Sequence, residues 1–236
     1  MVHYLICSVP RSGSTLLARS LGGLGVGAPD EFLNVVKPID GQGLVQREGL
    51  SGCRTDGDLR AYLDGLRARY TVGGVFGLKA HYIQLAAYPF VLNNLEALLP
   101  GVRYIAITRR DKLRQAISFV RACQTVQWTS TLPAQQEPHY DKAAIDRFLD
   151  DVARMSRDWE EYFRTQSIRP LRLVYEDFAR HYRRTLKAVL RYLGVAERPI
   201  PPAPLERQAD ALTEEWVRRY QAETPGRWRW LFRRAA

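Results

Sequence analysis

Short apolar strands alternate with helical segments along most of the chain, and this order constrains the fold more than any other feature. The hydrophobic pattern predicts strands at residues 4–9, 72–80, 103–108 and 171–174, and helices at 14–24, 59–70, 83–99, 111–124, 143–165 and 182–193. Residues 27–60 otherwise have the pattern of a loop with short helical pieces. We therefore predict an α/β fold, a single domain of residues 1–236 with a central, mostly parallel sheet flanked by helices.

The charge balance indicates a polyanionic partner. The 236 residues include 35 Lys and Arg against 25 Asp and Glu, a net charge of +10. Such an excess suits nucleic acid, an anionic membrane face, or a small substrate rich in phosphate or sulfate. Composition alone does not choose among these three classes.

Membrane insertion and secretion are not expected. The longest apolar stretch, 83–99, is interrupted by polar residues and a proline, whereas a membrane span needs roughly 20 apolar residues. Residues 1–7 lack the charged and long apolar regions of a signal peptide. Cys7, Cys53 and Cys123 are too scattered for a disulfide framework. These features predict a cytoplasmic protein with reduced thiols.

The segment after the first predicted strand is suited to an anion. It reads Pro10-Arg11-Ser12-Gly13-Ser14-Thr15 and leads directly into a helix. A turn of small residues before a helix directs backbone N–H groups and the positive end of the helix dipole at one spot. The segment is not a Walker A motif, because no lysine follows Gly13. An ordinary turn with an N-cap serine explains the pattern equally well.

The exit of the third predicted strand offers a second group of anion-binding side chains. Arg109 and Arg110 end the strand, and Ser118 lies two turns into the next helix. An arginine and a hydroxyl so placed can bind one phosphate, although an Arg-Arg pair alone is more typical of a solvated sheet edge. Ligands of parallel sheets bind beyond the carboxyl ends of the strands, so both groups are expected at one site.

An ordered set of segments resembles the Stf0-like family of bacterial carbohydrate sulfotransferases, which use 3′-phosphoadenosine 5′-phosphosulfate (PAPS). The set spans nearly the whole chain, from Tyr4 to Tyr220. The shared segments are Ser8 to Leu17, Pro29-x-Glu31-Phe32, Gly77-x-Lys79, Arg110-Asp111-x-x-x-Gln115-Ala116-x-Ser118-Phe119, Gln124-Thr125-x-x-Trp128, and Glu206 to Asp210 with Glu215-Trp216.

The resemblance implies a P-loop-like sulfotransferase fold and a specific reaction. A sulfuryl group passes from PAPS to a hydroxyl of a carbohydrate, glycolipid or similar metabolite, without a metal, and 3′-phosphoadenosine 5′-phosphate (PAP) is the product. Arg11 is expected on the phosphosulfate, and Ser12 to Thr15 on the 5′-phosphate. Arg109 and Ser118 correspond to the family's 3′-phosphate site, which Arg207 and Gln208 are expected to complete from a late loop.

The resemblance also implies a catalytic base. Glu31 occupies the acidic position of the Pro-x-Glu-Phe segment and is preferred over its neighbour Asp30. A carboxylate within hydrogen-bond reach can take the proton of the attacking hydroxyl. His81, just past the second predicted strand, is the alternative base, and Lys79 is expected to bind sulfuryl oxygens or to orient Glu31.

The sequence says less about the acceptor of the sulfuryl group and about the binding partners. Ala28 stands where the family pattern has an acidic residue that helps hold the sugar, so the identity of the acceptor stays open. We expect a homodimer, no nucleic-acid partner, and a weak membrane-surface contact of the basic aromatic tail, 225–236. Two other hypotheses remain: a P-loop-type kinase using ATP and Mg²⁺, and a non-enzymatic nucleic-acid binder.

Overall fold

Four parallel strands form the central sheet, in the order β4-β1-β5-β6. The computed structural model describes residues 1–34, 50–205 and 210–225, and the backbone of 36–39 and 43–46. The strands are β1 (Val2–Ser8), β2 (Val36–Ile39), β3 (Gly43–Gln46), β4 (Val75–His81), β5 (Arg103–Thr108) and β6 (Leu171–Val174). Strands β2 and β3 pair with each other as an antiparallel hairpin.

Helices cover both faces of the sheet. They are α1 (Ser14–Gly23), α2 (Asp56–Tyr70), α3 (Tyr82–Ala86), α4 (Pro89–Asn93), α5 (Leu95–Leu98), α6 (Lys112–Thr125), α7 (Lys142–Thr165), α8 (Tyr175–Arg180), α9 (Tyr182–Tyr192) and α10 (Ala211–Glu223). Successive residues of a strand point to opposite faces. Accordingly, Leu5 packs in a core with α6 and α7, whereas Tyr4 and Ile6 pack in a second core with α1 and α9. The predicted α/β fold is confirmed.

Three predictions from the hydrophobic pattern differ from the structure. The helix predicted at 83–99 is three short helices, because Pro89 lacks an N–H group and starts α4, and Asn94, with φ −122°, separates α4 from α5. The predicted loop at 27–60 contains the β2–β3 hairpin. Strand β4 also starts later than predicted, at Val75, because Gly73 and Gly74 adopt positive φ in a turn before it.

Parallel pairing brings the carboxyl ends of the four sheet strands to one edge. The segments that leave this edge carry most of the predicted site residues. Arg207, Gln208 and residues 226–236 of the basic tail lie outside the described residues. Within the described ranges, no helix combines the length and apolar character needed to cross a membrane.

Candidate active site

The loop between β1 and α1 (residues 10–15) holds an unusual backbone conformation. Arg11 and Gly13 both have positive φ, +62° and +88°. A Cβ atom on Gly13 would overlap the ring of Tyr175, so only glycine fits there. Gly13 is also the N-cap of α1, and no side chain in the described part of the chain caps this helix. The first turn of α1 therefore resembles an anion site rather than a serine-capped turn.

Two arginines converge on this loop. The Arg11 side chain donates from Nε to Oγ of Ser118 (2.8 Å) and from Nη1 to the carbonyl of Trp128. Burial, and next the nearby charge of Arg109, lowers the pKa of Arg11 to about 10, which leaves it protonated at neutral pH. Arg109 donates to the carbonyl of Arg11 (3.4 Å) and lies 5.2 Å from the centre of the Tyr175 ring.

A short stretch of extended backbone carries Glu31 to the edge of the sheet. Asp30 forms a parallel bridge with Leu78 of β4, and the N–H of Lys79 donates to the carbonyl of Asp30 (3.0 Å). Phe32, only 2% exposed, anchors the other side of Glu31 in the core. Glu31 is thereby fixed beside the carboxyl end of β4.

The carboxylate of Glu31 is surrounded by nitrogen atoms. Lys79 and His81, two residues apart on one face of β4, lie 2.8 Å (Nζ) and 3.6 Å (Nε2) from Oε1. The side-chain amides of Gln84 and Asn34 donate to Oε2 at 2.9 and 3.0 Å. We call Glu31, Asn34, Lys79, His81 and Gln84 the carboxylate cluster.

This environment keeps Glu31 ionised. Burial alone would raise the pKa of Glu31, but the charge of Lys79 and the hydrogen bonds from Lys79 and Gln84 outweigh it. The pKa of Glu31 is therefore held well below its usual range. Burial lowers the pKa of His81. His81 is thus neutral near neutral pH, and Lys79 is the cation that dominates.

The hydrogen bonds of His81 identify its tautomer. Its Nδ1 lies 3.1 Å from the carbonyl oxygen of Ser8, which can only accept a hydrogen bond. The Ser8 hydroxyl, also 3.1 Å from Nδ1, can donate instead to the carbonyl of Ala80. The proton of neutral His81 is therefore assigned to Nδ1, which leaves the lone pair of Nε2 facing Glu31.

Lys79 connects the carboxylate cluster to the β1–α1 loop. Besides its ion pair with Glu31, its ammonium donates to Oγ1 of Thr15 at 3.1 Å. Both regions line one open cavity of about 1520 Å³. Pockets for one small ligand hold roughly 300–1,000 Å³. The cavity is therefore large enough for two substrates side by side.

Most of the predicted site residues line this cavity. They are Arg11, Gly13, Ser14, Thr15, Glu31, Lys79, His81, Arg109 and Ser118. Ser12 is an exception: its side chain is fully buried, and its Oγ has no hydrogen-bond partner among the described residues. Its predicted role stays a prediction.

Sequence reasoning missed the two amides that hold Glu31. Gln84 has a detectable signal, because it is the N3 residue of α3 and its Oε1 accepts the N–H of His81 (2.9 Å), as in a capping box. The only sequence signal for Asn34 is its spacing of three residues from Glu31. Neither pattern by itself indicates an active site.

Comparison with known proteins agrees with this geometry. The model of the Stf0 sulphotransferase family matches residues 3–223. A trehalose 2-sulfotransferase from Mycobacterium tuberculosis is 29% identical over 259 residues, covering 94% of this chain and 95% of the relative. A trehalose 2-sulfotransferase from Mycolicibacterium smegmatis is 28% identical over 253 residues, covering 93% and 94%.

Solved structures share the fold. A sulfotransferase from Alicyclobacillus acidocaldarius has a TM-score of 0.50 and 16% identity, covering 94% of this chain and 95% of its own. The sulfotransferase domain from the curacin biosynthetic pathway has a TM-score of 0.51 and 17% identity, covering 89% and 81%. Because the family model spans nearly all of the chain, this protein belongs to the Stf0 sulphotransferase family and is a sulfotransferase enzyme.

Proposed function

We propose that the enzyme transfers a sulfuryl group from PAPS to a hydroxyl of a carbohydrate, with Glu31 as the general base and without a metal. One observation carries this proposal: a buried carboxylate and a loop suited to phosphate open into the same cavity, and Lys79 touches both. A base and a donor site must meet in this way if a hydroxyl is to attack the donor directly.

The residues of the β1–α1 loop fit a phosphosulfate. Its groups that face the cavity are hydrogen-bond donors or cations: the first turn of α1, the hydroxyls of Ser14 and Thr15, and Arg11. The absence of a Cβ at Gly13 lets the Tyr175 ring pack against this backbone and permits the positive φ of the turn. Arg109 lies beside this loop, where it supports the proposed 3′-phosphate site.

Each residue then has one task in the transfer. Glu31 accepts the proton of the acceptor hydroxyl while the hydroxyl oxygen forms its bond to sulfur. Arg11 stabilises the negative charge that the 5′-phosphate oxygen gains as its bond to sulfur breaks and PAP leaves. The Nε2 lone pair of neutral His81 is the alternative acceptor of that proton.

The acceptor is proposed to be a carbohydrate or a glycolipid. Both curated relatives bear the name trehalose 2-sulfotransferase, so trehalose is the first compound to test. Ala28 lines the cavity close in sequence to Glu31, and its methyl group offers a sugar hydroxyl no hydrogen bond. We therefore propose that the enzyme tolerates acceptors other than trehalose. The expected homodimer, cytoplasmic location and membrane contact of the tail remain predictions.

A transfer assay with labelled PAPS tests the proposal. The wild type is expected to label trehalose or another sugar of a panel, and a chelator is expected to leave the rate unchanged. Glu31→Gln should lower turnover by about 10²- to 10⁴-fold, the contribution of a general base. Glu161→Gln is the matched control, because the Glu161 side chain is 60% exposed on α7 and pairs only locally with Arg164.

Two results would contradict the proposal. If Glu31→Gln keeps turnover within a few-fold of the Glu161→Gln control, Glu31 is not the base. If the wild type transfers phosphate from ATP and Mg²⁺ but no label from PAPS, the donor assignment is wrong. Binding of PAP to Glu31→Gln shows that this variant is folded.

A further inference from the structure

We propose that Lys79 exchanges its partner during the catalytic cycle: it holds Glu31 while the donor is absent and releases Glu31 to bind the sulfuryl oxygens when the donor enters. This inference rests on the proposed function and adds a regulation of the same site, because occupancy of the donor site then controls the strength of the base.

The position of the Lys79 ammonium makes the exchange a short movement. Nζ lies 2.8 Å from Oε1 of Glu31 and 3.1 Å from Oγ1 of Thr15, at the start of α1. Its side chain is 5% exposed, so bulk water cannot replace a lost partner. The sulfuryl group of a donor held at the first turn of α1 therefore competes with Glu31 for the same buried cation.

In the state that the structure shows, Glu31 is poorly prepared to act as a base. Oε2 accepts two amide donors, from Gln84 and Asn34, and Oε1 accepts the ammonium of Lys79 and faces His81. Three of the roughly four acceptor positions of the carboxylate are thus occupied, which lowers its capacity to bind an incoming hydroxyl. Its low proton affinity points the same way, since the charge of Lys79 outweighs the effect of burial on the pKa of Glu31.

Departure of Lys79 changes only one side of the carboxylate. Gln84 and Asn34 still hold Oε2, so the orientation of Glu31 is retained. Oε1, which lies 3.6 Å from Nε2 of His81, then loses its ammonium partner and can accept the single proton of an incoming hydroxyl. The base is thereby strengthened at the atom that faces the acceptor, and only when the donor is present.

Donor affinity tests the exchange independently of turnover. We would measure the dissociation constants of PAPS and of PAP, which lacks the sulfuryl group, by calorimetry for the wild type, Glu31→Gln, Lys79→Met and the double variant. Glu31→Gln frees Lys79, so PAPS should bind about tenfold tighter, the size expected for one hydrogen bond to a charged group, while PAP is unchanged.

The double variant separates the exchange from simple charge repulsion. In the Lys79→Met background, Glu31→Gln is expected to leave PAPS affinity unchanged. An equal tightening in both backgrounds would mean that loss of the Glu31 charge alone is responsible, and the exchange would be wrong. No tightening in the wild-type background would also overturn it. If Glu31→Gln fails to bind PAP, Glu31→Ala replaces it in both backgrounds.

A failure of the proposed function would give a different set of binding results from a failure of the Lys79 exchange. If the wild type binds neither PAPS nor PAP, the donor assignment itself is wrong. If the wild type binds both ligands but Glu31→Gln leaves the ratio of the PAPS and PAP affinities unchanged, the sulfotransferase proposal stands and the exchange of Lys79 is rejected.

Discussion

On one side of Lys79 the Glu31 carboxylate meets a cation and two amides of its own chain, whereas on the other side helix α1 begins without a side-chain cap. The carboxylate cluster is thus satisfied by the protein alone. The β1–α1 loop instead keeps a left-handed Arg11 and a bare Gly13, a conformation that is retained against local strain.

This difference indicates that a bound ligand completes the β1–α1 loop rather than the carboxylate cluster. Uncapped N–H groups at a helix start are normally satisfied by a side chain, water or a bound anion. Helices α6, α7 and α10 use the side-chain solution, with Asp111, Asp141 and Asp210 as their caps, whereas α9, like α1, begins without a side-chain cap among the described residues. The lack of a side-chain cap at α1 leaves its first turn available for the proposed donor, while the proposed base, Glu31, is held by groups of the protein itself.

The largest effect, on PAP affinity, is expected from a substitution in the β1–α1 loop. Gly13→Ala places a methyl group against the ring of Tyr175 at a φ of +88°. Because the loop must then shift away from its ligand-binding conformation, we expect PAP affinity to fall at least about 100-fold, together with a loss of about 1–3 kcal/mol in the free energy of unfolding.

Gly23→Ala is the matched control for this change. Gly23 ends α1 on the far side of the helix from the loop, and a Cβ there has no atom within 4 Å among the described residues. PAP titration and chemical denaturation of both variants provide the measurement. Equal PAP affinity in Gly13→Ala and Gly23→Ala would show that the loop does not bind the nucleotide.

A smaller effect, on the pH dependence of the rate, is expected at the carboxylate cluster. As the proposed base, Glu31 acts when ionised, so its depressed pKa should place the acid limb of the rate profile below the usual glutamate range near pH 4.3. Gln84→Leu removes one hydrogen bond from the charged carboxylate, so the pKa should rise and the limb should move to higher pH by about one unit.

The profile to measure is kcat/KM for the donor against pH, because it reports groups of the free enzyme. Gln166→Leu serves as the control, since Gln166 is exposed at the end of α7. An acid limb that stays in place in Gln84→Leu, or moves to lower pH, would contradict the role given to Gln84.

The smallest effect is expected at a capped helix. Asp210 accepts the N–H of Thr213 (2.9 Å) and pairs with Arg121, whose hydrogen bond holds the pKa of Asp210 below its usual range. Asp210→Ala should lower the free energy of unfolding by about 1 kcal/mol, the value of an N-cap, with PAP affinity nearly unchanged.

The pH dependence of this loss follows from the direction of the shift. A carboxylate with a depressed pKa stabilises the fold above its unfolded pKa, near pH 3.9, and this contribution is lost as the pH falls toward the folded pKa. Denaturation at pH 7 and pH 3 should therefore show a smaller difference between Asp210→Ala and wild type at the lower pH. A constant difference would show that the charge of Asp210 is irrelevant.

The sequence predicted the sheet and the edge where the site lies. Short apolar runs ending at Val9 and Thr108 indicated parallel strands, and the structure brings Arg11 and Arg109 to one cavity. The β2–β3 hairpin was missed because β2 contains Pro38, which cannot donate to a ladder and is unusual within a strand.

The carboxylate cluster could be predicted only in part. The resemblance indicated Glu31 and Lys79, and the position past the second predicted strand indicated His81. Nothing in the local pattern shows that Asp30 bridges to Leu78 and so carries Glu31 to the edge of β4. Such a contact joins segments nearly fifty residues apart, and no periodicity records it. The amides that hold Oε2 depend on that contact, so they became visible only in the folded chain.

A crystal structure of the PAP complex tests the central claim most directly. The account predicts the 5′-phosphate within hydrogen-bond distance of the first-turn N–H groups of α1 and of Arg11, the 3′-phosphate beside Arg109, and Glu31 free of contact with the nucleotide. A nucleotide bound elsewhere, or one whose phosphates leave the first turn of α1 unoccupied, would contradict it.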